Sequence, residues 1–183
     1  DRHVAFFDGT NPNWRCLPPT EMFVNPRRNA RFHKVFMPNC DNVWVDGNII
    51  PTKTIDEYSK MCGNNDMMLF HHPLRKCIYD EAIVVMYHKM DDKTIVAKQA
   101  GRYMKEGYPK MNGLHETGFL FRRNNQKVRE FNRLWWEEIC NGSFRDQISF
   151  DYCVWKSGVK VKTIEENIRD TKLVNMEGHG RYK

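Results

Sequence analysis

The 183 residues contain no CxxC pair, no GxGxxG, no GxxxxGK[ST], no HExxH and no GxSxG. Their absence argues against a zinc ribbon, a Rossmann dinucleotide fold, a P-loop, a zincin protease and a nucleophile-elbow hydrolase. What is left is chemistry built from carboxylates, amides and basic side chains. No apolar run approaches the ~18 residues of a membrane span, so no transmembrane segment is expected. No cleavable signal pattern opens these residues either. Internal repeats, low-complexity tracts and linker-like stretches are also missing, and one domain is the expected count. The six cysteines, Cys16, Cys40, Cys62, Cys77, Cys140 and Cys153, are scattered without disulfide-framework spacing and read as free thiols of a reducing compartment.

What is present is a globular composition, 40% hydrophobic with 13% aromatic residues, in which 29 Lys and Arg outnumber 23 Asp and Glu to give a net charge of +6. That balance favours anionic partners: nucleic acid, anionic lipid or a phosphorylated small molecule. The aromatic residues follow core periodicity and no RNP or zinc-finger pattern occurs, so nucleic acid is not the expected partner. Apolar β-type runs at 4–7, 43–45, 67–70, 118–121 and 159–164 alternate with helical spacing, which predicts an α/β architecture. Asn25 and Pro26 form a cap and first helical residue; the segment after them places Arg27, Arg31 and Lys34 on a basic stripe opposite Phe32, Val35 and Phe36. Further helices are expected over 77–90, 92–107 and 125–142, and from about 145 to Gly158.

Four constellations could carry chemistry. In VWVDGN, an apolar run ends in Asp46, Gly47 and Asn48, which reads either as a turn or as two hard oxygen ligands for Mg²⁺ or Mn²⁺. On an extended strand Asp46 and Asn48 would share a face. In LFHHPLRKCIYDEA, His71 and His72 close a strand, where they read as ligands or as packing, and Arg75 stands near a helix start, where it reads as a grip on a phosphate or acceptor or as a solvated surface residue. His115 and Glu116 precede a strand. Arg145, Asp146 and Gln147 stand at a helix start, where an acid either complements the helix dipole or accepts a proton from an acceptor hydroxyl.

Taken in order, NPRRNARFHKVF, VWVDGNI, HPLRKCIYDEA and GLHETGFLFRRN, leading to LWWEEICNGSFRDQISFDY, resemble a GT-A-type glycosyltransferase-like family of plant and microbial proteins. Its pattern includes a WIDGN strand end, an HPxRxCIYEEA segment and an RDQxSF helix start, and the resemblance covers about residues 25–155. Within the family the chain is similar to the N-terminal glycosyltransferase domain of a multidomain protein from a large algal DNA virus of chlorovirus type.

The resemblance implies a GT-A-like fold with a mixed, mostly parallel central sheet flanked by helices. It also implies a nucleoside-diphosphate-sugar donor, a UDP-sugar of glucose or rhamnose type, and a glycan or glycoprotein acceptor. Mn²⁺ or Mg²⁺ would sit at the DxD-type motif Asp46-Gly47-Asn48. Asn replaces the second acid there, so a further ligand is wanted, and His179 is the candidate by analogy. Phe7 and Asp8 would face the base and ribose, while Arg27, Arg31, Lys34, Asp46 and Arg145 would hold the donor. His72, Arg75, His115 and Gln147 would meet the acceptor or sugar. Asp146, with Glu116 second, would be the base of an inverting transfer.

The family usually opens with a strand ahead of the one matching HVAFFDG. That strand is not in these residues, so the expectation is a domain short of its first strand and belonging to a larger protein. A sequon, Asn141-Gly142-Ser143, adjoins Arg145; a glycan there would crowd the site, which points to the cytoplasm (host cytoplasm for a viral protein), with the secretory lumen as the alternative. Two rival functions stand beside the enzyme: a non-catalytic nucleotide-sugar or glycan-binding module, and a basic nucleic-acid-binding protein.

Overall fold

The computed structural model describes residues 4–6, 15–17, 21–36 and 39–177. Local chemistry starts most of the helices. Helix α1 (Pro26–Val35) begins where the Asn25 side chain accepts the Arg27 amide at 2.9 Å, with Pro26 at the position where a missing N–H costs nothing. Helix α2 (Ile55–Cys62) has a capping box: Thr54 accepts the Glu57 amide and the Glu57 carboxylate accepts the Thr54 amide. Helices α3 (Ile78–Tyr87) and α4 (Lys93–Lys105) follow, the latter capped by Asp92. Asn125 caps α5 (Gln126–Asn141), and α6 (Asp146–Ser157) ends at Gly158 in the left-handed conformation that favours glycine.

Strands β1 (Val4–Phe6) and β2 (Arg15–Leu17) pair in parallel. The central sheet has the order β3 (Asn42–Val45), β6 (His115–Arg122), β5 (Met67–His71), β7 (Val161–Ile164). β6 runs antiparallel to both neighbours while β5 and β7 are parallel, so β3, β5 and β7 point one way and β6 alone is reversed. The α/β class with a mixed sheet flanked by helices agrees with expectation.

Register fixes the rim that matters. β3 ends with Val45 opposite Phe119, β5 ends with His71 opposite His115, and β7 ends with Ile164 opposite Phe70. The carboxyl ends of three strands and the start of β6 therefore share one edge, the place where open α/β sheets bind ligands. A bulge in the β5–β6 pairing, between Met68 and Phe70, lets Met68 face Phe121 but Phe70 face Glu116. Such an irregularity re-aims side chains, and here it lies beside Glu116, Thr117 and Gly118.

Two cores cover the two faces. Met67, Leu69 and Leu120 pack with residues of α3, α4, α5 and α6, among them Trp135, Phe131 and Phe150. Met68, Phe70, Phe119 and Phe121 pack on the other side with Tyr58 and Cys62 of α2 and with Ile49 and Val174. Those last two belong to β4 (Ile49–Pro51) and β8 (Val174–Met176), an antiparallel pair outside the central sheet.

Asp46-Gly47-Asn48 is the turn that takes the chain from one sheet to the other: the Ile49 amide donates to the Asp46 carbonyl at 2.9 Å. The strand alternation expected to put Asp46 and Asn48 on one face does not apply, because both lie beyond the end of β3. Cys40, Cys62, Cys77, Cys140 and Cys153 are free thiols.

Candidate functional site

Four charged residues from two helices and a turn meet at the rim. Lys34, on α1 and 1% exposed, places its Nζ 2.7 Å from Asp146 Oδ2 and 3.6 Å from Asp46 Oδ1. Arg31, one turn earlier, brings Nε within 2.9 Å of Asp146 Oδ1, without the alignment of a hydrogen bond. The Thr117 hydroxyl donates to Asp146 Oδ2 at 3.0 Å, and Trp135 Nε1 donates to the Asp146 carbonyl at 3.1 Å. Trp44 Nε1 donates to Asp46 Oδ1 at 2.9 Å, and the Asp46 amide donates to the Gly118 carbonyl at 2.8 Å.

Lys34 belongs to the basic stripe of α1, yet it is buried, and Arg122 shows how. That arginine, fully buried on β6, donates to the Lys34 carbonyl at 2.7 Å and the Val35 carbonyl at 3.1 Å, satisfying the end of α1. Its remaining contacts are to Asn132 and Asn42. Nothing in the sequence distinguished Arg122 from Arg123 beside it.

Burial alone would push the Asp146 carboxyl up, but the charges of Lys34 and Arg31 and the hydrogen bonds from Lys34 and Thr117 outweigh it. The group is held well below the usual carboxylate range, ionised at the first turn of α6. Both oxygens are engaged and the residue is 4% exposed. A strongly stabilised anion is a weak base, so proton transfer to Asp146 would need Lys34 or Arg31 to be drawn away from it.

Asp46 is more open, with 39% of its side chain exposed, and Asn48 is half-buried. A Cβ at position 118 would lie 3.5 Å from Asp46 Oδ2 and 3.1 Å from Ile49 Cδ1, so Gly118 keeps the space over that oxygen clear. Among the described residues no three His, Cys, Asp or Glu side chains group as a metal site. One carboxylate oxygen and one amide oxygen still fit the way Mg²⁺ is commonly held, by one or two protein oxygens with the rest of its shell from phosphate and water.

Beside this centre lies a cleft of about 390 Å³ lined by Arg27, Ala30, Arg31, Met90, Phe144 and Arg145. The Arg27 guanidinium sits 5.0 Å over the Phe144 ring. Asp91 holds the cleft's far wall, accepting from the Ser143 hydroxyl at 2.5 Å and the Phe144 amide at 3.1 Å. Arg145 Nε is buried and, among the described residues, makes no hydrogen bond; the same is true of Gln147 Nε2.

The other expected site residues lie further along the rim. His72 Nδ1 accepts the amides of Leu74 and Arg75, and Arg75 Nε pairs with Glu81 at 2.5 Å. Burial first, then the charges of Arg75 and Arg169, lower His72 to about 4. Together the two residues shape the loop that follows β5. His115 is similarly committed: Asp151 accepts both its amide and ring Nδ1, and Thr163 Oγ1 lies 3.0 Å from Nε2. Burial opposes the charge on His115, but Asp151 wins and raises its pKa. Glu116 is held more loosely, by Arg169 at 3.2 Å, and Arg169 is 55% exposed. Phe7, Asp8 and His179 lie outside the described residues.

A buried anion–cation centre and an arginine-lined cleft thus stand side by side in an α/β domain with a mixed sheet. The family profile of the TOD1/MUCI70 glycosyltransferase-like domain matches residues 14–178, and the chain belongs to that family. No curated protein and no solved structure matches the chain significantly. No helix among the described residues is long and apolar enough to cross a membrane.

Proposed function

We propose that the chain is a metal-dependent, inverting glycosyltransferase of glycan biosynthesis. It moves a sugar from a nucleoside-diphosphate sugar, a UDP-sugar of glucose or rhamnose type, to a hydroxyl of a glycan or glycoprotein acceptor. The observation that carries this reading is the meeting of Arg31, Lys34, Asp46 and Asp146 beside a cleft walled by Arg27 and Arg145. The UDP and sugar assignments rest on the family resemblance.

Departure of a nucleoside diphosphate develops negative charge, and preorganised donors aimed at it are the largest catalytic resource of such a site. Arg27, Arg31 and Arg145 supply those donors from fixed positions. Asp46 and Asn48 would hold Mn²⁺ or Mg²⁺, which when bound supplies Lewis-acid charge to the leaving group. His179 is proposed as a further ligand, and Phe7 and Asp8 as contacts to base and ribose. Asp146 keeps Arg31 and Lys34 in place, a positioning role that its lowered pKa supports. The base then falls to Glu116: its only described ion pair is to an exposed arginine that an acceptor can displace. Gln147, with its buried and unsatisfied amide nitrogen, is proposed to meet the sugar.

The test is calorimetry or thermal shift against a panel of nucleotide sugars with and without Mn²⁺, followed by assays for transfer and donor hydrolysis. Cation-dependent stabilisation by one donor, with turnover lost in Asp46→Ala, is the expected result. Full metal-dependent turnover in Asp46→Ala would refute the site. One observation favours the rival binding module: Asn48 leaves the DxD-type motif one acid short. Donor binding without any transfer or hydrolysis would establish that reading.

A further inference from the structure

Lys34 has a consequence beyond donor binding. Its ammonium is buried between two carboxylates, 2.7 Å from Asp146 and 3.6 Å from Asp46. With Arg31 at 2.9 Å, the centre contains two anions and two cations and sums to zero. An ion pairing with Asp46 would therefore meet a carboxylate already partly neutralised, with a fixed positive charge behind it. Long lysines ordinarily reach solvent; this one is held in by the Arg122 grip on its carbonyl and by Asp146.

We infer that Lys34 is a built-in counter-cation that prevents the Asp46 turn from retaining a divalent ion alone, so that ion and diphosphate are bound only together. The inference rests on the Asp46–Asn48 reading given above and concerns the coupling between the two ligands. A diphosphate brings the negative charge that the neutral centre lacks and bridges to the cleft arginines. By thermodynamic reciprocity the ion must then strengthen diphosphate binding by the same factor. A two-carboxylate site without the lysine would behave differently, attracting a bare cation and needing no anion to keep it.

Equilibrium dialysis of Mn²⁺ against the full chain, with and without inorganic pyrophosphate, reads this directly, because free ion and free complex both cross the membrane and only protein-bound ion is retained. The expected result is at least about tenfold tighter retention with pyrophosphate, within the usual range of coupling between two sites. In Lys34→Met, bare Mn²⁺ retention should rise by about tenfold and the effect of pyrophosphate should shrink. Equal retention with and without pyrophosphate in the wild-type chain overturns the inference and leaves the Asp46 site standing. No retention in either arm overturns the site itself, and with it the inference. Should Lys34→Met fail to fold, Lys34→Gln, which keeps a polar head beside Asp146, is read in the same way, and bare Mn²⁺ retention unchanged from wild type in a folded variant overturns the inference.

Discussion

Replacing Asp146 by Asn separates a residue that holds the site together from one that moves a proton. The substitution keeps the shape and removes one negative charge from between Lys34 and Arg31. At 2.7 and 2.9 Å, each pair carries about 6 kcal/mol of gross attraction at an effective dielectric of about 20. Desolvation offsets most of that while the partners are together, but removing one partner from a buried pair typically costs about 3–5 kcal/mol. Lys34 retains Asp46 at 3.6 Å, which places the expectation nearer the lower figure. For a domain of this length that corresponds to a fall in melting temperature of about 10 °C. Urea denaturation followed by circular dichroism measures it, with the midpoint expected to drop at unchanged slope. Donor affinity should weaken too, because Arg31 and Lys34 lose their anchor. An Asp146→Asn protein as stable as wild type, binding donor normally but turning over slowly, would refute the positioning role and restore Asp146 as the base.

Other expectations follow from neighbouring features. Arg145→Gln should weaken nucleoside-diphosphate binding by about tenfold with little loss of stability, since its Nε makes no hydrogen bond among the described residues; calorimetry with UDP reads it, and unchanged affinity removes Arg145 from the cleft's role. His72 titrates at about 4 when folded and near 6.5 when unfolded, so the unfolded chain binds more protons between those values and stability should fall as pH drops through that window. His115 has the opposite sign: its raised pKa contributes stability below about 6.5 that is lost as pH rises through the folded value, and a pH series on His115→Gln should lack that alkaline limb. In Gly142→Ala a Cβ would fall 2.4 Å from the Gln99 amide, inside the buried network with Tyr103 and Glu138, and a loss of about 2–4 kcal/mol is expected in the same denaturation assay.

Much of this was legible in the residues. Asn25-Pro26 announces α1, Asp92 announces α4, and the apolar runs mark β3, β5, β6 and β7. Arg31, Lys34, Asp46 and Asp146 were each singled out, and the structure brings them together. What escaped has physical reasons. β4 and β8 are three residues each, too short for periodicity to register, and they pair only with each other across most of the chain. Helix α2 spans eight residues, although Thr54 and Glu57 stand at capping-box spacing and could have announced it. The burial of Lys34 and the engagement of both Asp146 oxygens are long-range facts, fixed by Arg122 and by the turn into α6, and no local pattern encodes them. The contacts that His72 and Arg75 make within their own loop are likewise invisible in the sequence, because polar side chains at a strand end resemble each other until their hydrogen bonds are known.

Because β6 alone runs backwards, it delivers residues to the rim as the chain enters the strand. His115 and Glu116 are fastened to His71 and Phe70 of β5, residues 119–122 are fastened to β3, and between them the Gly118 carbonyl accepts the Asp46 amide. The segment just upstream, 107–114, is anchored by the buried Tyr108 and Leu114, and the Leu114 carbonyl accepts the His72 amide at 2.7 Å. A change in the length of that approach would therefore reach the rim first as a shift of His115 and Glu116 against β5, with residues 119–122 still held in register by β3.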